Sequence, residues 1–90
     1  MLKVTDKAKD ELKKLLLLCT KDHEDGIRLV HGSVGQFGLL LGKEKEGDKV
    51  IQHDGSKVLL IGSDLLGLLD GVTMDLENNG SKREFVMTKK

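Results

Sequence analysis

The residues in this chain that could do chemistry are few, and they fall into no recognised catalytic pattern. Cys19 is the only cysteine, so an internal disulfide, a CxxC redox pair and a four-cysteine zinc site are all excluded. Its place on a helical repeat with Ala8, Leu12 and Leu16 predicts a small buried hydrophobe. His31 is expected at a strand end beside a glycine-rich turn, where a neutral imidazole could serve as an iron or zinc ligand. A competent metal site needs three or four converging donors, and His23 and His53 fall on other loops without metal-box spacing. The plain reading of His31 is therefore a turn histidine; a metal site built on His31, with Cys19 as a further donor, is the alternative. Gly32-x-x-Gly35-x-x-Gly38 could turn successive amides toward an anion, because glycine tolerates positive φ. It lacks the Lys-Ser/Thr of a phosphate loop and precedes no helix, so a tight, glycine-rich hairpin is the preferred explanation. His31, Gly32, Ser33 and Gly35 are thus the candidate binding residues.

The carboxylates and hydroxyls add no catalytic group. Asp54 and Asp70 precede glycines and Asp64 suits a helix cap, so local backbone hydrogen bonding explains three of the four aspartates Asp54, Asp64, Asp70 and Asp75. Ser33, Ser56, Ser63 and Ser81 have neither a Gly-x-Ser-x-Gly context nor a histidine-acid partner. The expectation is a protein that is not an enzyme.

These residues must be positioned by short elements. Leu2 and Val4 alternate about Lys3 and predict a first short strand. From Asp6 to Cys19, Ala8, Leu12, Leu15, Leu16 and Cys19 recur at helical spacing with lysines and acids mostly opposite, an amphipathic helix with Thr5 or Asp6 as its cap. Ile27 to Val30 and Leu39 to Leu41 predict a hairpin about the glycine turn, and Val50-Ile51 and Val58 to Ile61 a second one about Asp54-Gly55. Ser63 or Asp64 is expected to cap a short helix through Leu69, ended by Gly71. Strands at Val72 to Leu76 and at Phe85 to Met87, the latter an edge strand, complete an α+β domain with a strongly curled sheet.

Composition narrows the partners. Ninety residues suit one domain, 1–90, and a chain this size buries only about 60–65% of its unfolded surface, so it either packs efficiently or gains stability from a protein partner or from self-association. Fifteen Lys plus Arg balance fifteen Asp plus Glu, removing the positive field that nucleic-acid binding needs. Phe37 and Phe85 are the only aromatic residues apart from histidine, too few to stack bases. The run Leu15 to Leu18 is too short to span a bilayer and no apolar signal core opens the chain. A reducing cytoplasm is the expected setting.

Several blocks, in order, resemble the HesB-like (HesB/IscA-type) family of A-type iron-sulfur cluster carriers. They are Thr5-x-x-Ala8-x-x-x-Leu12-x-x-Leu15-Leu16, Gly26-Ile27-Arg28-Leu29, Asp54-Gly55-Ser56-Lys57-Val58-Leu59 and, most specific, Leu69-Asp70-Gly71-Val72-Thr73-Met74-Asp75-Leu76. The resemblance implies compact, barrel-like mixed β-sheets with an N-terminal helix packed on them. It also implies three cysteine ligands, one in a Gly-Cys-Ser-Gly-type loop and two in a Cys-x-Cys near the C-terminus. Here that loop reads Gly32-Ser33-Val34-Gly35, and the sequence reaches Lys90 without a Cys-x-Cys. Clusters need soft thiolates, and a serine hydroxyl is neutral and hard at pH 7. The expectation is a degenerate relative of the iron-sulfur biogenesis proteins, holding no cofactor and acting as a binding or regulatory module. The alternative is an iron or iron-sulfur carrier with substitute ligands such as His31.

Overall fold

A computed structural model describes residues 2–22, 24–32 and 37–89. The chain runs β1 (Lys3–Val4), α1 (Asp6–Cys19), β2 (Asp25–His31), β3 (Phe37–Lys43), β4 (Lys49–His53), β5 (Ser56–Ile61), α2 (Ser63–Leu66), β6 (Val72–Asn79) and β7 (Lys82–Lys89). The strands form two mixed sheets, as the family resemblance implies, where patterning alone suggests one curled sheet; the orders are β1-β6-β7 and β3-β2-β5-β4. The separation follows from the exit of β5: the chain leaves through α2 and reverses at Gly71, whose φ of 78° suits glycine. β6 then pairs in parallel with β1 instead of joining the larger sheet.

Both predicted hairpins form, with β2 against β3 and β4 against β5. The second closes on Asp54 and Gly55, with φ of 51° and 79°, the left-handed pair that a two-residue turn matching strand twist requires. β2 and β5 are joined in parallel, Arg28 beside Leu60 and Leu29 beside Ile61. Their close approach depends on Gly26, where a Cβ would lie 2.7 Å from the Lys57 carbonyl oxygen.

One face of each sheet and one stripe of α1 make the core. Ala8, Leu12 and Leu16 supply the helix stripe, and Ile27, Leu29, Val58, Leu59, Ile61, Leu69 and Met74 the remainder, all buried. Thr5 caps α1 by accepting a hydrogen bond from the Ala8 N–H at 3.3 Å.

Three expectations need correction. Cys19 is exposed, because the last turn of α1 overhangs the sheet: Leu17 and Leu18 beside it are 61% and 84% exposed. The α2 cap is Gly62, with no side-chain cap hydrogen bond from Ser63 or Asp64. β6 and β7 extend beyond their apolar segments to Asn79 and from Lys82, because antiparallel backbone pairing continues through an exposed polar ribbon.

Candidate functional site

The hairpin of β2 and β3 carries the residues singled out from the sequence. His31 ends β2 opposite Phe37, with ring centroids 5.2 Å apart and planes inclined by 53°. His31 and Gly32 are exposed. Ser33 and Gly35, and with them the centre of the proposed anion nest, lie outside the described residues. A shallow depression beside the histidine is lined by Arg28, Val30, His31, Asp64 and Leu65. No metal-capable group of three donors among the described residues includes His31.

The substitute ligand pair is not brought together. Thr20, next to Cys19, donates its hydroxyl to Asp25 Oδ2 at 2.7 Å, which fixes Cys19 near the first residue of β2. His31 is the last residue of that strand. Six strand steps separate the ends by about 20 Å, far beyond the reach of two ligands on one ion. The donor set at the hairpin therefore does not fit a cluster within one chain: the only thiol stands at the opposite end of β2, and clusters require soft thiolates.

A different trio converges instead. Asp10 of α1 and His53 and Asp54 of the β4–β5 turn place one donor atom each within 4.8 Å of one another. His53 Nε2 lies 2.5 Å from Asp10 Oδ1 and 3.7 Å from Asp54 Oδ2. Sequence reasoning missed this group because Asp10 and His53 are 43 residues apart, and only the docking of α1 on the sheet makes them neighbours. Lys13 approaches the same carboxylate at 3.7 Å and donates to the Asp54 carbonyl at 3.4 Å. With a cation already against Asp54 and both aspartates exposed, the group is an ion-pair cluster that ties α1 to the turn.

The remaining polar network is structural. Arg28 forks onto both Asp48 oxygens and onto the Lys43 carbonyl. That hydrogen-bonded guanidinium holds the Asp48 carboxyl below its ordinary value of 3.8. Thr5 donates to Asp75 Oδ1 at 2.6 Å, and the same oxygen accepts the Leu76 N–H at 2.8 Å. The Thr5 hydroxyl, followed by that N–H, lowers the Asp75 pKa. Leu69, Gly71, Val72, Met74 and Asp75 thus act as core, reversal and anchor, and the most specific block of the sequence resemblance is a fold-holding segment.

Two mixed sheets, the cap of α1 on β6 and the Gly71 reversal make a fold similar to that of HesB/IscA-type proteins, on a chain with a single cysteine in its ninety residues. Escherichia coli SufA, described as involved in the biosynthesis of iron-sulfur clusters, is similar at TM-score 0.68 and 25% identity, over 98% of this chain and 84% of that one. IscA with its [2Fe-2S] cluster superposes at 0.66 with 20% identity, over 99% and 85% of the two chains. A protein from Aquifex aeolicus, solved in solution, gives 0.63 and 26%, over 99% and 91%. No family model matches the chain, and no curated protein sequence does.

Proposed function

We propose that this protein is a non-catalytic HesB-like module, a single domain over residues 1–90, that has lost the family's cluster ligands and works in the cytoplasm by binding a protein partner. The observation that carries the reading is the position of Cys19, the one thiol of the chain, about 20 Å along β2 from His31 at the other end of that strand. The described strands and helices otherwise keep the two-sheet arrangement, including the Thr5–Asp75 anchor. A retained scaffold beside a donor set that fits no cluster supports recognition rather than cargo transfer. The candidate contact residues are His31, Gly32, Ser33 and Gly35 on the glycine hairpin, together with the exposed strand that follows it.

The test is anaerobic reconstitution with ferrous iron and sulfide, followed by desalting, absorption spectroscopy and metal analysis. The expected result is a metal-free protein without charge-transfer bands. Stoichiometric iron that His31→Ala abolishes would overturn the reading in favour of a carrier with substitute ligands. Iron retained by His31→Ala but lost in His53→Ala would instead place a cation at the Asp10–His53–Asp54 cluster.

A further inference from the structure

β1 stands at an edge of the smaller sheet and β4 at an edge of the larger, and a cleft of about 390 Å³ opens between them. Its floor is apolar. Ile61 is fully buried and Leu2 8% exposed, with Val4, Ile51 and Leu66 half-buried around them. Lys49 of β4 is the register partner of Ile61, which places a cationic side chain next to the deepest apolar one. Lys3 of β1 and Lys9 of α1 complete the rim.

The charge at this opening is of one sign. No acidic residue lines the cleft, and among the described residues no carboxylate pairs with Lys3, Lys9 or Lys49. Lys13, Lys43 and Lys57, by contrast, each hold a carboxylate. The chain as a whole carries equal numbers of basic and acidic residues, so the three lysines make a local positive field rather than part of a general one. Their methylene stems extend the apolar walls while the ammonium groups stay in water. An apolar floor with cations at its mouth complements a molecule with an apolar body and one anionic end. The volume lies in the range of small-molecule sites, whereas a protein partner covers about 800 Å² of surface.

We infer that the cleft between β1 and β4 binds a small amphiphilic carboxylate, an aliphatic acid of medium chain length. Its chain lies against Ile51, Ile61 and Leu66, and its carboxylate stands among Lys3, Lys9 and Lys49. Burial of the chain supplies most of the affinity, and the ion pairs at the wet mouth select the charged end without dominating. The site is on the opposite edge of the larger sheet from β3, so it is separate from the glycine hairpin and goes beyond the binding-module reading. Iron uptake would remove that reading and leave this one standing.

Decanoate, kept below the concentration at which it forms micelles, should move the amide resonances of residues 2–4, 49–51, 61 and 66. The shifts should saturate with a dissociation constant of about 0.1–1 mM. Decanol, with the same chain and no charge, should bind at least about fivefold more weakly, and raising salt from about 0.02 to about 0.5 M should weaken decanoate alone. Lys9→Glu and Lys49→Glu should each weaken decanoate at least about fivefold. Both lysines lack a carboxylate partner in the fold, so the variants should keep the parent's unfolding midpoint. Lys14→Glu makes the same charge change at an exposed position of α1 outside the cleft and should leave binding unaltered. No saturable shift up to about 5 mM, equal affinity for decanoate and decanol, or equal loss in Lys14→Glu would each overturn the inference. Shifts centred instead on the larger groove lined by Phe37, Phe85 and Met87 would do the same. So would a leucine- and glutamate-rich peptide that moves the cleft amides where decanoate does not, since the occupant would then be a segment of another protein.

Discussion

β3 and β5 flank β2 on its two sides, are both rich in leucine, and meet opposite fates. In β5, Val58, Leu59, Leu60 and Ile61 are all fully buried, on both faces of the sheet. In β3 the apolar run leaves Leu40 and Leu41 in solvent. The difference lies in what surrounds each strand: β5 has a neighbour on each side, whereas β3 has only β2. Apolar composition in a central strand makes the core, and the same composition at an edge is surplus to folding and available for association. The largest effect should therefore come from truncating β5. Leu59→Ala removes a fully buried side chain and is expected to cost about 2–5 kcal/mol in urea unfolding. Leu40→Ala should stay within about 0.5 kcal/mol of the parent. Equal losses at both positions would break the contrast.

Gly26 of β2 and Gly42 of β3 sharpen it, since they face each other in one strand pair yet meet different surroundings. A Cβ on Gly26 meets the Lys57 carbonyl at 2.7 Å and Leu60 at 3.1 Å, whereas one on Gly42 meets nothing nearer than Arg28 Nε at 3.8 Å. Gly26→Ala should cost about 2–3 kcal/mol through displacement of backbone against backbone. Gly42→Ala should be neutral, or stabilising by up to about 1 kcal/mol through a less flexible unfolded chain. Thermal and urea midpoints of the two variants, measured side by side, check this.

Most of the architecture was legible in the sequence because periodicity reports it locally. α1 from Asp6 to Cys19, both larger-sheet hairpins and the turns at Asp54-Gly55 and Gly80 follow from spacing and turn chemistry alone. What spacing does not carry is where a helix runs past its support. Cys19 continues the buried repeat of Ala8, Leu12 and Leu16, yet only the length of the sheet beneath α1 decides that it is exposed. The division into two sheets was equally hidden, since it depends on β6 choosing β1 across most of the chain. Of the candidate site, His31 lies at the strand end that was expected. The Asp10–His53–Asp54 group could not be read from the sequence, because its members share no local pattern.

Arg28 links the two sides of the comparison, lying between Leu40 of β3 and Leu60 of β5 while its guanidinium holds Asp48 of the loop after β3. The two side chains are 16% and 4% exposed, so the pair ranks between a surface bridge and a buried one. Arg28→Ala should cost about 1–2 kcal/mol by leaving Asp48 unpaired. The folded Asp48 carboxyl lies below its unfolded value. Its contribution is therefore complete above that unfolded value and is lost as pH falls through the folded one. Stability should be level above about pH 5 and fall below about pH 4. Arg28→Ala should make that fall shallower, and an unchanged acid limb in urea titrations would remove Asp48 from the account.

Of the destabilising changes, Thr5→Ala has the smallest expected effect. Its hydroxyl oxygen accepts the Ala8 N–H and donates to Asp75, while its own N–H bonds the Met74 carbonyl at 3.0 Å. Those contacts bind the start of α1 to β6 in the smaller sheet and reach no residue of β3. Thr5→Ala should cost about 1 kcal/mol, the typical loss of a helix cap. Thr5→Ser keeps the oxygen and should recover most of it. If Thr5→Ser lost as much stability as Thr5→Ala, the hydroxyl would not be the group that joins the start of α1 to β6.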